Sequence, residues 1–87
     1  MKINMDYMFY RSPSEEENCK EFVTFLNKFS GRVHWKQIPQ APWQVDVKTK
    51  SGRVVSFWPH KLRAVDQLNY KSYDFKTWHE ADDLLGN

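Results

Sequence analysis

The stretch "WQVDVKTKSGRVVSFWP" constrains the fold more than any other part of the sequence. Apolar and polar residues alternate along 43–49 and again along 53–59, and a period of two predicts strands with one buried face. Residues 50–52 separate the two runs as a three-residue hairpin loop, in which Gly52 takes the left-handed position. Pro59 ends the second strand, because proline cannot donate a hydrogen bond to the ladder.

The length of this loop decides which side chains share a face. A three-residue loop pairs Val47 with Val55 and gathers the aliphatic side chains on one face, so we favour this register. The opposite face then carries these side chains: Gln44, Lys48, Val54, Ser56 and Trp58. A two-residue loop would shift the pairing by one residue and bury Trp58 instead. We therefore predict an exposed Trp58 on the outer face; the alternative is that it packs as core beneath residues 60–71.

An amphipathic helix precedes the hairpin. In "SPSEEENCKEFVTFLNKFSG", Ser12 is a good N-cap, Pro13 suits the first helical position, and Glu15 completes a capping box. An apolar stripe at helical spacing follows: Cys19, Phe22, Val23, Phe25, Leu26 and Phe29. The pattern predicts a helix over 13–29 that ends before Gly31.

Alternation predicts further strands on either side of this helix. Residues 2–10 and 32–38 both alternate with a period of two. Pro39 and Pro42 bracket the loop that leads into the hairpin. Residues 60–71 are compatible with a strand or with a short irregular helix, and we favour the strand.

The C-terminal stretch "YDFKTWHEADDLLGN" predicts a second helix. Its cap is Ser72 or Asp74, and Gly86 ends it. Its apolar stripe comprises Phe75, Trp78, Ala81 and Leu85. The whole pattern predicts an α+β fold in the order β-α-β-β-β-(β)-α. A single antiparallel sheet of three to five strands would carry both helices on one face, and 1–87 would form one domain.

Composition supports this size of core and limits the chemistry. Aromatic residues make up 16% of the chain, and each buried ring removes roughly 150–250 Å² from water. Cys19 is the one cysteine, so an intramolecular disulfide is impossible. No uncharged run approaches the roughly 20 residues of a membrane span. We expect a soluble, cytoplasmic protein without a membrane partner.

The histidines do not form a recognisable metal or catalytic motif. His34, His60 and His79 are far apart in the sequence, and neither HExxH nor a Cys/His spacing occurs. The glycines are isolated turn residues, unlike a phosphate-binding loop. We therefore expect no metal, no cofactor and no enzymatic activity. A catalytic role would require one of these histidines in a concave pocket beside a carboxylate.

The charge is divided along the chain. Residues 31–76 carry nine Lys/Arg against three Asp/Glu, while residues 77–87 contain three acidic residues and no Lys or Arg. This basic middle, 32–76, makes nucleic-acid binding one functional hypothesis. Its candidate residues are Lys48, Lys50, Arg53, Lys61, Arg63 and Lys71. The α-β-β-β-α order resembles the double-stranded-RNA-binding domain, although the last helix here is acidic where that family places a basic cluster.

A second resemblance suggests a different class. The segment "VVSFWPHK", with the later "TWHEADDLL", resembles a strand-plus-"FWP" pattern of small uncharacterised phage proteins. That resemblance implies a non-catalytic binder that disables a host enzyme or defence complex in the host cytoplasm. It makes docking on a protein the leading hypothesis. The predicted docking surface comprises Gln44, Lys48, Ser56, Trp58, His60, Lys61 and Arg63.

Overall fold

Five antiparallel strands and two helices make up the part of the chain that the computed structural model describes, which is residues 11–85 apart from the side chain of Pro42. The elements follow in this order: α1 (Pro13–Asn27), β1 (Val33–Ile38), β2 (Ala41–Thr49), β3 (Val54–Trp58), a 3-10 turn (Pro59–Lys61), β4 (Arg63–Asp66), β5 (Lys71–Asp74), a second 3-10 turn (Trp78–Ala81) and α2 (Asp82–Leu85). The predicted α+β class is confirmed. The strand predicted for 2–10 lies outside the described residues.

The N-terminal cap of α1 forms much as predicted. The Ser12 hydroxyl accepts a hydrogen bond from the Glu15 N–H at 3.3 Å. The Glu15 carboxylate in turn accepts one from the Arg11 N–H at 3.0 Å, one residue earlier than in the usual capping box. The helix ends at Asn27 rather than at the predicted residue 29.

The strands lie side by side in chain order, from β1 to β5. Val45 pairs with Phe57 and Val47 with Val55, as the three-residue loop requires. The loop closes through a 2.8 Å bond from the Thr49 N–H to the Arg53 carbonyl. Gly52 adopts the left-handed backbone with φ of +90°. The predicted register is therefore confirmed.

Residues 60–71 contain the favoured strand, but also more. The strand is β4, which pairs with β3 after the 3-10 turn and a left-handed Leu62. The chain then turns through 67–70 and returns as β5, which pairs with β4. The segment thus extends the sheet at its edge, and the Gln67 side chain reaches the outer face at Ser56.

The second helix begins later than predicted. Lys71–Asp74 forms β5, so neither Ser72 nor Asp74 caps a helix. The N-cap is Thr77, which precedes the second 3-10 turn, and only Asp82–Leu85 is α-helical. The Glu80 carboxylate fixes this start by accepting hydrogen bonds from two backbone N–H groups, at 2.6 and 3.0 Å.

Both helices pack on one face of the sheet, which we call the inner face. The rings of Phe22 on α1 and Phe57 on β3 lie 5.2 Å apart, and the Trp78 ring lies 4.9 Å from Phe22. Cys19 lies in the same cluster and is 1% exposed. Aromatic rings therefore supply the centre of the core, as the composition predicts. Within residues 11–85, no helix has the length and apolar run that crossing a lipid bilayer requires.

A buried ion pair ties three elements together at one end of the core. The Asp66 carboxylate is fully buried and accepts a 3.0 Å hydrogen bond from Arg53 Nε. Its other oxygen accepts one from the Leu68 N–H at 3.0 Å. The same guanidinium donates to the Leu84 carbonyl of α2 at 3.5 Å. Chiefly because of the Arg53 hydrogen bond, the pKa of Asp66 lies below its ordinary value.

Asp66→Asn should lower the free energy of unfolding by about 1.5–3 kcal/mol at neutral pH, the usual contribution of a hydrogen bond to a charged group. The native pKa is below the unfolded value of about 3.9, so the contribution is fully present above that value. It is lost as the pH falls through the lower native pKa. Urea unfolding at neutral and acidic pH measures both effects.

Asp74→Asn is the matched control. Its carboxylate pairs with Arg63 at 2.9 Å, but both side chains are more than half exposed. The expected loss is below about 1 kcal/mol, as for other surface ion pairs. A similar loss for both variants, or an Asp66→Asn loss that does not shrink at acidic pH, would contradict the structural role of the pair.

Candidate functional site

The predicted site residues fall into three separate places. The 50–52 loop and the 67–70 turn both lie at one end of the sheet, which we call the turn end. The 3-10 turn Pro59–Lys61 lies at the opposite end, about 17 Å away along the five residues of β3. The outer face lies between the two ends. The predicted docking residues Lys48 and Lys61 therefore lie at opposite ends of the sheet.

The outer face carries a closed polar network. Ser56 donates to Asp46 Oδ1 at 2.7 Å and accepts from Gln67 Nε2 at 2.6 Å. Gln44 Nε2 donates to the same Asp46 oxygen at 3.0 Å. Ser56 is completely buried although it lies on this face. Two of the predicted docking residues, Ser56 and Gln44, thus donate their side-chain hydrogen bonds to the Asp46 carboxylate within the protein.

Trp58 lies on the outer face, as the register predicts, opposite Arg63 of β4. Its side chain is half-buried rather than exposed. The alternative prediction, that it packs beneath 60–71, is also wrong, because that segment lies beside it as a strand. The neighbouring Val54 and Val65 are likewise half-buried on this face.

His60 and Lys61 contact helix α1 and not the outer face. The Asn18 amide donates to the His60 carbonyl at 3.1 Å, and Lys61 Nζ lies 3.2 Å from a Glu15 oxygen. The His60 Nδ1 atom is buried and has no hydrogen-bond partner. Burial is the main cause that lowers the pKa of His60. The 3-10 turn Pro59–Lys61 therefore packs against the N-terminal half of α1.

Ion pairing divides the six cations that the sequence suggests for nucleic-acid binding. Arg53, Lys61 and Arg63 each pair with a carboxylate. The other three are exposed and form no ion pair with a described residue: Lys48, Lys50 and Lys71. All three belong to the turn end of the sheet. Of these six cations, the three without a carboxylate partner are therefore those at the turn end.

Two large apolar side chains accompany these lysines. Leu68 is 83% exposed and Tyr70 is 78% exposed, both on the turn between β4 and β5. Tyr70 has a left-handed backbone with φ of 55°, which is rare for a bulky residue. We define the turn surface by five residues: Lys48, Lys50, Leu68, Tyr70 and Lys71. A groove of about 530 Å³ runs between the two turns, lined by Ser51, Gly52, Arg53, Val54, Gln67 and Leu68.

Sequence reasoning missed Leu68 and Tyr70, because it placed them within a continuous 60–71 strand. A signal was present. Asp66 and Asn69 are residues whose side chains accept hydrogen bonds from the backbone two positions later, which is typical of turns. Both do so here, since Asn69 Oδ1 accepts from the Lys71 N–H at 3.0 Å and Asp66 accepts from the Leu68 N–H.

A second groove, of about 320 Å³, lies between α1 and the second 3-10 turn. Phe25 and Trp78 form its floor as a stacked pair 5.7 Å apart. Lys28 at its rim lies 5.5 Å from the Phe25 ring and pairs with Asp82. Among the described residues, no three metal-ligating side chains come together in a way that would hold an ion.

Trp58→Ala should lower the free energy of unfolding by about 1.5–2.5 kcal/mol, roughly half the loss for a fully buried aromatic ring. Urea unfolding checks this value. Trp43→Ala, which removes the 39% exposed indole of β2, should cost less. A negligible loss for Trp58→Ala would mean that the ring is free for docking, and a loss above about 3 kcal/mol would make it core.

The partly buried His60, whose Nδ1 atom is buried, should make the free energy of unfolding depend on pH near neutrality. Its native pKa is lowered by burial and by Lys61 and Arg11, with Glu15 opposing them. Below the unfolded pKa of about 6.5 the unfolded chain binds more protons, so the free energy of unfolding should fall as the pH drops. His60→Gln should flatten this fall below the unfolded pKa of about 6.5. A His60→Gln variant whose stability falls with pH as steeply as that of the wild type would contradict the assignment.

Comparison with known proteins does not assign this chain to a family. No family model matches the chain, and neither curated proteins nor solved structures show a significant match. Of the three places described above, the turn surface has the most exposed side chains and the fewest ion pairs within the protein.

Proposed function

We propose that this protein is a non-catalytic binding module that docks on an anionic macromolecule through its turn surface. The observation that carries the proposal is the combination found there. Two highly exposed apolar side chains, Leu68 and Tyr70, stand beside three lysines that have no carboxylate partner among the described residues.

The apolar part of the surface supports docking. A single exposed hydrophobic side chain is ordinary on a protein surface. Here two occur within one four-residue turn, and each exposes more than three quarters of its area. Tyrosine is also enriched among residues that dominate binding energy. Burial against a partner would remove this exposed area from water.

The charged part of the surface indicates the sign of the partner. Lys48, Lys50 and Lys71 form no ion pair within residues 11–85, whereas five other cations of that range do. A positive surface attracts negatively charged partners and speeds their association. Lys71 also lies 5.2 Å from the Tyr73 ring, which holds its ammonium near the surface without neutralising it.

The rigidity of the two turns also supports a binding role. A side chain fixes each end of the 67–70 turn by accepting a backbone hydrogen bond: Asp66 accepts from the Leu68 N–H, and Asn69 accepts from the Lys71 N–H. Arg53 links the neighbouring hairpin to the same Asp66 carboxylate. A surface that is ordered before binding loses less entropy on association.

The phage-type likeness of residues 54–61 agrees with a binding role, because such proteins act by docking on a host component. The outer face predicted from the sequence gives weaker support as the docking surface. Its Ser56 is buried and its Trp58 is half-buried. Three of its other predicted members point elsewhere or are paired, namely His60, Lys61 and Arg63.

The test compares two triple variants of equal charge on an immobilised polyanion, heparin. Replacing Lys48, Lys50 and Lys71 by Gln should lower the salt concentration at which the protein elutes. The control replaces three exposed lysines elsewhere by Gln: Lys20, Lys36 and Lys76. It should elute close to the wild type. Equal shifts for both triples would show that only net charge matters, and no retention of the wild type at low salt would overturn the proposed function.

A further inference from the structure

We infer that the anionic partner is single-stranded nucleic acid, which lies across the two turns with a base stacked on Tyr70. This inference rests on the proposed function, because it assigns a partner to the same turn surface. Three features of that surface carry it: the spacing of the lysines, the presentation of the tyrosine ring, and the shape of the groove between the turns.

The lysines are spaced along the width of the sheet. Lys48 lies on β2 and Lys71 on β5, so three strand spacings separate them, or about 14 Å. Successive phosphates of a stacked strand are about 3.4 Å apart along its axis. By the strand register, Lys48 shares the outer face with Val54, whereas Lys71 shares the inner face with Asp66. A single strand that crosses the turn end between the two faces therefore meets one cation on each side, at phosphates at least about four nucleotides apart, which is the lower end of the usual site size for single-strand binding.

The tyrosine ring is presented to solvent by the backbone itself. Tyr70 is held in the left-handed region between the Asn69 side chain and the first residue of β5. Its ring is 78% exposed, although the side chain is large and mostly apolar. Bases of any sequence stack on such a ring, because every base has a π face. Leu68 exposes apolar surface on the same turn for a neighbouring base.

The groove between the turns suits a flexible strand better than a duplex. Its floor includes Gly52, where no atom lies within 4 Å of the position that a side chain would occupy. Reading a duplex through its major groove requires a projecting helix or a two-stranded ribbon. At the turn end, the β2–β3 and β4–β5 hairpins are closed by turns of three and four residues, and neither hairpin contains a helix. A single strand can instead bend to place a base on Tyr70 while its phosphates contact the lysines.

The experiment measures the binding of fluorescently labelled oligothymidylate and of a duplex of equal length by anisotropy at low salt. The wild type should bind the single strand at least about tenfold more tightly. Tyr70→Ala should weaken that binding by about five- to 150-fold, the range that base–aromatic stacking spans. Tyr70→Phe keeps the ring and should bind as the wild type does.

The salt dependence separates phosphate contacts from stacking. Replacing Lys48, Lys50 and Lys71 by Gln should reduce the slope of log affinity against log salt by about 2, since each single-strand phosphate contact contributes about 0.7. Tyr70→Ala should leave the slope unchanged. Tyr70→Asn repeats the test with a residue that suits the left-handed backbone, in case alanine disturbs the turn.

The outcomes separate this inference from the proposed function. Equal binding of both oligonucleotides, or single-strand affinity that Tyr70→Ala leaves unchanged, would overturn the inference while the docking surface stands. Retention on heparin without binding to either oligonucleotide would also overturn it and would indicate an acidic protein as partner. Failure to bind any polyanion would remove the proposed function together with the inference.

Discussion

The buried carboxylate of Asp66 organises the end of the molecule on which the proposed binding depends. One of its oxygens accepts from Arg53, which follows the β2–β3 loop, and the other accepts from the Leu68 N–H in the next turn. Arg53 also donates to the Leu84 carbonyl of α2. A single side chain thus sets the position of two turns and of α2 relative to one another. Backbone pairing of β3 with β4 holds the two hairpins side by side, and the Asp66 side chain adds a direct link between their turns.

The sequence predicts those parts of the fold that short-range chemistry decides. Gly52 permits the left-handed turn that sets the hairpin register, and Ser12 with Glu15 defines where α1 begins. The C-terminal region shows the limit of such signals. Residues 71–74 precede an apolar stripe at helical spacing, and Ser72 and Asp74 are residue types that favour a helix N-cap. Pairing with β4 nevertheless makes them a strand, because tertiary hydrogen bonds override local propensity.

The candidate site was less predictable, because exposure and ion pairing depend on contacts distant in sequence. Lys61 is basic and follows a proline turn, yet it pairs with Glu15, which is 46 positions away. The strand register places Ser56 on the outer face, yet its side chain is fully buried, since Gln67 and Asp46 both form hydrogen bonds with it. The exposure of Leu68 and Tyr70 follows from a turn inside a segment that alternation alone presents as one strand. Sequence patterns assign faces, but they do not show which residues cover those faces.

The position of Cys19 has a practical consequence for following the opening of this molecule. The only cysteine of the chain lies on the buried face of α1, against the aromatic cluster, with 1% of its surface accessible. A thiol reagent can reach it only when α1 separates from the sheet, because the intact core leaves no path to the sulfur. The rate of modification under native conditions therefore reports the free energy of that separation. The natural chain carries its own reporter of core opening, at a site remote from both turns.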